Sequence, residues 1–577
     1  MNFYKDFVQD ETVYTDYEDL KKNFKLKIPA NFNFAYDIVD RYAQTVPSKL
    51  AMVWCDDTLK SHHFTFSQIS ERSKQTAEFL KLHGIKKGDT VMLILRRRYE
   101  FWFFLLALHR IGAIAVPATN QLLTKDIEYR TNAAEIKMIV SYEDDEVQTR
   151  IESALKNSPT VKNIVTVGKN RDGWLSYYDE IENFKAEDFD SESDRPTENS
   201  DTMLVYFTSG TSGNPKMVQH NFTYPLAHIV TAKYWQNVMD GGLHLSVAET
   251  GWAKAMWGKI YGQWICGSAV MVYDMTTFSP SKTIEIISKY RVTTFCAPPT
   301  TFRFMVKADI KKYDLSALKH IVTAGEALPP ELYEKIYEAT GLEMHEAFGQ
   351  TETTVLAGNF PGMKIKPGSM GKPAPGYDLE IVRPDGTRCP PNEEGSIVLH
   401  LHGQHPTGLF SGYYKNEEQT KKVFNGDDYY TGDVAYYDED GYIWFIGRKD
   451  DVIKTSGYRV SPFEVESVLL LHPAILECAV TGVPDEKRGQ AIKATVVLNK
   501  GFEPTKELKL ELFEFMKSKT AAYKHPRIIE FVESLPKTIS GKIRRVELRE
   551  KTDFNRRTGK NSTVFSCCAH LMSCLIE

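Results

Sequence analysis

No apolar run in this chain approaches the roughly 18 residues that a membrane-crossing helix needs. The longest, Phe101-Trp102-Phe103-Phe104-Leu105-Leu106-Ala107-Leu108, ends at His109-Arg110, so no membrane span is expected. Charge of either sign is not in surplus. Lys and Arg number 71 against 76 Asp and Glu, a net charge of −5 over 577 residues, which gives nucleic acid or an anionic membrane no general hold. Cysteine is sparse, at 8. Cys55, Cys266, Cys296, Cys389 and Cys478 are scattered singly with no CxxC pair, which excludes a disulfide framework and a zinc site. Cys567, Cys568 and Cys574 crowd the C-terminus. The first residues carry Asp and Glu and lack an apolar core, unlike a signal or transit peptide. The ending Leu575-Ile576-Glu577 is neither a peroxisomal address nor a prenylation box. The cytoplasm is the expected compartment. Repeats and low-complexity tracts are absent.

What is present is an ordinary globular mix, 42 % apolar and 25 % charged, long enough for several domain-sized units. Up to about residue 350, short β-rich runs alternate with helix-length stretches. Residues 90–95, 113–116, 136–141, 161–167, 203–207, 292–296 and 320–323 read as buried strands, and 100–109 as a helix. Continuous apolar strands between helices imply parallel sheets covered on both faces. From 376 to 447 the texture turns to alternating segments broken by Arg383-Pro384-Asp385-Gly386 and Asp438-Glu439-Asp440-Gly441, which predicts antiparallel hairpins. Beyond Arg448 a smaller α+β segment follows, with helices near 462–471 and 506–519 and strands near 478–481, 491–498 and 528–532. Residues 551–577 lack periodicity and read as a disordered tail.

Five clusters carry chemistry. Tyr206-Phe207-Thr208-Ser209-Gly210-Thr211-Ser212-Gly213-Asn214-Pro215-Lys216 runs from a strand into a loop of glycines and hydroxyls that ends in a lysine. Its glycines let backbone N–H groups approach phosphate oxygens, and the lysine adds a point charge. It does not fit the GxxxxGK[ST] phosphate loop. Glu346-Ala347-Phe348-Gly349-Gln350-Thr351-Glu352 sets an aromatic that can stack on a base four residues before a carboxylate suited to a hard metal ion. Tyr430-Thr431-Gly432-Asp433, followed by Gly447-Arg448-Lys449-Asp450-Asp451, offers an acceptor for ribose hydroxyls. Lys454-Thr455-Ser456-Gly457-Tyr458-Arg459 places glycine beside arginine, and Pro536-Lys537-Thr538-Ile539-Ser540-Gly541-Lys542 closes the series.

In this order and at these separations the clusters resemble the acyl-adenylate-forming superfamily of acyl-CoA synthetases, luciferases and peptide-synthetase adenylation domains. The likeness runs from about residue 31 to 545. Gly251-Trp252-Ala253-Lys254, Ala297-Pro298-Pro299-Thr300, Ala324-Gly325-Glu326-Ala327-Leu328 and Ser456-Gly457-Tyr458-Arg459 look like the medium-chain acyl-CoA synthetases. The resemblance implies an α/β protein: a large N-terminal domain, 1–449, of parallel-sheet subdomains plus a small β-barrel, then a small mobile α+β domain, 450–550, hinged at Asp450. It implies an ATP-dependent ligase. Carboxylic acid and ATP give acyl-adenylate and pyrophosphate, and CoA then gives acyl-CoA and AMP.

The resemblance also assigns residues. Thr208, Ser209, Gly210, Thr211, Ser212, Gly213, Asn214, Pro215 and Lys216 would hold the β- and γ-phosphates. Glu326, Glu346, Ala347, Phe348, Gly349 and Gln350 would border the nucleotide, Thr351 the α-phosphate, and Asp433 and Arg448 the ribose. Glu352, with Thr211, would hold Mg²⁺. Lys542 and Arg459 would reach the α-phosphate and the carboxylate. Trp252, Gly349, Thr351 and Arg459 would line the acid pocket, with Gly349 leaving its floor open where acetate-specific relatives carry a Trp. Gln121, Ser456, Gly457, Tyr458, Arg488, His525, Pro526 and Arg527 would border CoA. An ionised carboxylate needs no general base, so the absence of a Ser-His-Asp constellation is in keeping. The acid is expected to be medium-chain, branched short-chain or aromatic. A ligase that loads a phosphopantetheine carrier protein, or an acetate or propionate ligase, is the alternative, and a monomer and a dimer are equally compatible.

Overall fold

The computed structural model describes residues 2–9, 14–189, 195–208, 214–537 and 543–557. Contact density divides the chain into two units. The first comprises Met1–Thr208, Pro215–Leu379 and Leu399–Tyr429, and the second Ser209–Asn214, Glu380–Val398 and Tyr430–Glu577.

Two mainly parallel sheets build the first unit. One has nine strands, in the order Lys372–Pro373, Val355–Gly358, Met344–Gly349, His320–Ala324, Thr294–Cys296, Leu243–Ser246, Ala269–Asp274, Leu50–Asp56 and Ser61–Thr65. Its six consecutive strands from Met344–Gly349 to Leu50–Asp56 are parallel. The other has seven strands, in the order Leu175–Ser176, Asn163–Val167, Met138–Tyr142, Thr90–Ile94, Ile114–Pro117, Thr202–Thr208 and Lys216–Asn221. Only the last of these pairs antiparallel. The apolar runs therefore became strands for the reason their composition gives. Thr90–Ile94 and His320–Ala324 are buried at every position, as strands covered on both faces must be.

The long apolar run is a buried helix, Glu100–Ile111, every residue of which is buried. Gly112, at φ +71°, caps it in the left-handed conformation that favours glycine. Arg110, which ended the run in the sequence, points inward. Its two terminal nitrogens donate to the two carboxylate oxygens of Asp40 at 2.7 Å each, and its Nε donates to Ser73 Oγ at 3.0 Å. Among the described residues, no helix is long and apolar enough to cross a membrane.

The turn-rich region forms a five-stranded sheet of Asp378–Val382, Gly395–His400, Asp428–Tyr437, Phe424–Asn425 and Ile443–Arg448. Asp428–Tyr437 and Ile443–Arg448 make one of the expected antiparallel hairpins. Asp438 Oδ1 shapes its turn by accepting from the Asp440 and Tyr442 amides at 3.0 Å each.

In the second unit, Tyr458–Val460, Ile453–Thr455, Gly489–Leu498 and Ile475–Asp485 form a sheet that Ile528–Phe531 extends. The helices Pro462–Leu469 and Lys506–Lys519 cover it through Val465, Leu469, Leu512 and Met516. A further helix, Arg545–Arg557, corrects the expectation that the tail begins at 551, because regular structure continues to 557. Its start is tied down by Arg545, which donates to both oxygens of the buried Glu466 carboxylate at 2.6 and 2.7 Å. Residues 558–577, with the three C-terminal cysteines, lie outside the described residues. The segment of the second unit that contains Asp450 begins at Tyr430. Contact density and pivot position are different properties, and Asp450 itself is an exposed residue at a turn.

Candidate active site

The parallel strands of the nine-stranded sheet deliver their candidate residues to one edge. Glu326 follows His320–Ala324, residues 348–352 end or follow Met344–Gly349, Thr300 lies beyond Thr294–Cys296, and Trp252 and Lys254 lie beyond Leu243–Ser246. These are all carboxyl ends, where open α/β sheets bind ligands. Thr300 Oγ1 donates to Glu326 Oε2 at 2.7 Å, which joins two of the sequence clusters directly.

The phosphate-loop candidate is a hairpin between Thr202–Thr208 and Lys216–Asn221, with Thr208 opposite Lys216 in register. Ser209, Gly210, Thr211, Ser212 and Gly213 lie outside the described residues. Asn214 is exposed, and the Pro215 carbonyl accepts from Tyr129 Oη at 3.1 Å. Lys216 Nζ stands 4.8 Å above the ring of Tyr413, whose hydroxyl donates to Glu352 Oε1 at 2.9 Å. One tyrosine thus joins the lysine that would meet phosphate to the carboxylate that would meet its cation.

Thr351 is fixed through its carbonyl, to which His220 Nε2–H donates at 2.8 Å. Burial pushes the His220 pKa down to about 4, so the ring is neutral at pH 7. The carbonyl contact puts its proton on Nε2. Gln350 Oε1 accepts from Tyr429 Oη at 2.8 Å, and the Gln350 amide donates to Thr353 Oγ1 at 2.9 Å. His220, Tyr413 and Tyr429 were missed by sequence reasoning. Each acts on a residue far along the chain, and no local motif announces such a partner.

Two expectations need correction. Glu346 does not present its side chain to a ligand. It is 3 % exposed, its Oε1 accepts from the Leu328 amide at 3.2 Å, and burial holds its carboxyl well above the usual range. Its side chain anchors the chain that follows Glu326. Gly349 does not leave an open floor either. A Cβ there would overlap the Thr354 carbonyl oxygen and lie 2.5 Å from Cη2 of Trp257. Trp257, buried and packed edge-on against Trp235 at 6.1 Å, already fills that space. The sequence could not show this, because Trp257 reaches Gly349 from another crossover. Gly349→Trp would consequently collide with backbone. Trp252 is half-buried, Ala347 is buried, Phe348 is half-buried, and Gln121 is exposed.

In the second unit, strand register sets Asp433 opposite Arg448. Arg448 Nη1 lies 3.3 Å from both Asp433 oxygens and donates to the Thr431 carbonyl at 3.2 Å. Gly432, at φ +75°, makes the turn in which the Thr431 hydroxyl accepts from the Asp433 amide at 3.1 Å. Ile453–Thr455 and Tyr458–Val460 form a hairpin whose two-residue turn is Ser456-Gly457, at φ +50° and +83°. Positive φ at both positions is the turn that matches strand twist, and it favours glycine at the second. Arg459 is exposed, directly across the hairpin from Lys454, and Glu394 is among the carboxylates its charge acts on.

Ser456, Arg488, Tyr523, His525 and Arg527 line one recess, so four CoA candidates converge, and Tyr523 joins them unannounced. Its ring stacks on Tyr458 at 4.3 Å and 13°. The Ser456 amide donates to the Arg488 carbonyl at 2.9 Å. Pro526 is buried beside His525. Lys542 lies outside the described residues.

Among the described residues, no cluster of three or more His, Cys, Asp or Glu side chains could hold a metal ion alone. A single carboxylate such as Glu352 suits Mg²⁺ shared with a triphosphate, since that ion is commonly bound by one or two carboxylates plus substrate oxygens.

Residues 39–414 match the AMP-binding enzyme family, and residues 464–542 match the AMP-binding enzyme C-terminal domain. The chain is 39 % identical to acyl-coenzyme A synthetase ACSM3 of Rattus norvegicus over 548 residues, 93 % of each chain. It is 40 % identical to acyl-coenzyme A synthetase ACSM4 of Homo sapiens over 535 residues, 91 % of each. Both relatives are named as mitochondrial. Among solved structures it resembles the anthranilate CoA ligase AuaEII in complex with anthranoyl-AMP. The TM-score there is 0.83 at 31 % identity, covering 92 % of this chain and 99 % of that one.

Proposed function

This chain belongs to the AMP-binding enzyme family, and from that premise we propose that it is an ATP-dependent, AMP-forming acyl-CoA synthetase. The observation that carries the reading is the convergence of Glu326, Thr351 and Glu352 at the carboxyl edge of one sheet, with Tyr413 between Glu352 and Lys216.

In the first half-reaction the acid's carboxylate attacks the α-phosphorus of ATP and pyrophosphate leaves. Two anions must meet, so the need is for positive charge and hydrogen-bond donors rather than for a base. Lys216, with the glycine-rich loop, takes the β- and γ-phosphates. Thr351, its backbone fixed by His220, meets the α-phosphate. Lys542 and Arg459 meet the charge that develops between α-phosphate and carboxylate. Asp433 and Arg448 hold the ribose, and Phe348 and Glu326 border the base. Mg²⁺ on Glu352 would neutralise the departing pyrophosphate. In the second half-reaction the CoA thiol attacks the acyl carbonyl, the bond to AMP breaks, and the thiol proton leaves to solvent. Gly457 lets the pantetheine arm pass close to backbone, while Ser456, Tyr458, Arg488, His525 and Arg527 take the rest of CoA. Gln121 is the remaining CoA candidate. A swing of the segment beyond Asp450 separates the two steps.

The acid we propose is medium-chain, branched short-chain or aromatic, with Trp257 rather than Gly349 setting the pocket's depth. A panel of acids from C2 to C12 with benzoate, scored by AMP formation, tests it. Preference for acetate would overturn the substrate assignment. Trp257→Leu should lengthen the preferred acid, since each buried methylene contributes about 0.8 kcal/mol. We propose the cytoplasm as the compartment. The five described cysteines are buried and none forms a disulfide, as a reducing compartment allows, although a mitochondrial matrix would allow it too. Cell fractionation separates the two.

A further inference from the structure

Residues 247–254 carry Trp252 and Lys254 away from the strand Leu243–Ser246 of the nine-stranded sheet. They are held from the seven-stranded sheet. Arg97, just beyond Thr90–Ile94, donates from Nη2 to the Val247 carbonyl at 3.1 Å. The Thr250 hydroxyl donates to the Arg96 carbonyl. Glu249 Oε1 accepts from the Gly251 amide at 3.1 Å, and the Glu249 carbonyl accepts from the Trp252 amide at 3.1 Å. Gly251 lies so close to the chain leaving Ile114–Pro117 that a Cβ would overlap the Thr119 amide nitrogen. The loop therefore forms the seam between the two sheets.

The charges at the seam are buried or half-buried and nearly balanced. Glu249 faces Arg97, and Asp274 pairs with Arg96 at 3.1 Å. Lys259 is the surplus cation. It is 1 % exposed, its Nζ has no hydrogen-bond partner among the described residues, and burial lowers its pKa to about 7. The Glu249 carboxyl is raised by burial, against which Arg97, the Gly251 amide and the hydroxyls of Thr119 and Thr250 work. Glu249 Oε2 and Arg97 Nε are buried with no hydrogen-bond partner among the described residues. Buried polar groups satisfied only in part are costly. Their presence here marks a place where composition answers to more than packing.

We infer that Arg97 and Glu249 are positioning residues for the acid substrate: they fix the backbone from which Trp252 and Lys254 project, and touch no substrate themselves. This rests on the acyl-CoA synthetase reading. Lys254 Nζ donates to the Ala324 carbonyl, immediately before Gly325-Glu326, so the loop's far end is registered on the nucleotide edge. Displacing the loop should move the acid wall while leaving the residues around Thr351 and Glu352 in place.

The test is acid-dependent exchange of pyrophosphate into ATP by the full chain. Glu249→Ala should raise the KM for acid by about tenfold, the scale of one lost hydrogen bond to a charged group, with the KM for ATP unchanged. Glu249→Asp should restore the acid KM, because an Asp side chain readily accepts from the amide two residues on. Thr250→Val, which removes one neutral hydrogen bond, should raise the acid KM about threefold. It decides the matter should Glu249→Ala fail to fold. An unchanged acid KM, or acid and ATP KM values rising together, overturns the inference alone. A wild type with no acid-dependent exchange overturns the underlying reading, and the inference with it.

Discussion

Glu352 and the Thr351 carbonyl are each gripped by a side chain distant in sequence, Tyr413 and His220, whereas Ser456 and Gly457 stand at an exposed turn with nothing within 4 Å of a Gly457 Cβ. The first arrangement resists movement, and the second leaves room for a ligand to lie against backbone. That difference matches the two half-reactions. Adenylation needs charges already in place when the phosphorus is attacked, since preorganised groups cost no reorganisation. Thioester formation needs access for a long flexible arm. On the proposed reading, the Thr351–Glu352 segment serves preorganisation and the Ser456-Gly457 turn serves approach.

Acid offers the largest way to break this comparison. His109, His220, His228, His244 and His320 are all in the first unit, and burial lowers each below the ordinary histidine range, to about 3 or 4. A group with a depressed folded pKa takes up its proton mainly on unfolding. Stability is therefore present above the unfolded value of about 6.5 and is lost as pH falls toward 4, at up to about 1.4 kcal/mol per pH unit for each group. Thermal melts between pH 7 and pH 4.5 should show a steep drop, with loss of the near-ultraviolet signal of the first unit's tryptophans. Flat melting temperatures would contradict the buried-histidine account.

Lys542→Ala should lower acyl-adenylate formation by about 10²–10³-fold, the usual loss for one transition-state donor. Thioester formation from supplied acyl-adenylate should be largely spared. Equal loss in both half-reactions would contradict the assignment of Lys542 to the first step alone. Asp450→Pro should act in the opposite sense, about tenfold on CoA ligation with adenylation retained, because proline fixes φ near −65° and a pivot must change it. Survival of both rates would place the hinge elsewhere, with Lys449 the next position to try. Tyr413→Phe should cost least, about three- to tenfold in adenylation, the scale of one hydrogen bond to a charged acceptor. An effect confined to the CoA step would break the assignment of Glu352 and Lys216 to phosphate.

Much of this division was legible in the sequence, and what was not has a physical reason. Strand patterns such as 90–95 and 320–323 identified the parallel sheets because burial on both faces writes a continuous apolar run. The clusters proposed to meet the nucleotide stand out in the sequence because glycine, carboxylate and lysine at fixed spacing serve one local purpose. Contacts between crossovers were not. Trp257 against Gly349, Tyr413 on Glu352 and the inward turn of Glu346 depend on which strands become neighbours. Arg110 and Arg448 make the same point: one is 0 % exposed in a two-pronged pair at 2.7 Å, the other 41 % exposed in a looser pair at 3.3 Å. Nothing local in the chain distinguishes the buried arginine from the half-exposed one proposed to hold the ribose.

The most direct test of the central claim is product stoichiometry with purified protein, ATP, Mg²⁺, an accepted acid and free CoA. The account predicts AMP, pyrophosphate and acyl-CoA in equal amounts, with sustained AMP release only when CoA is present. Formation of ADP, or a reaction that stalls at the adenylate until a carrier protein is added, would contradict it.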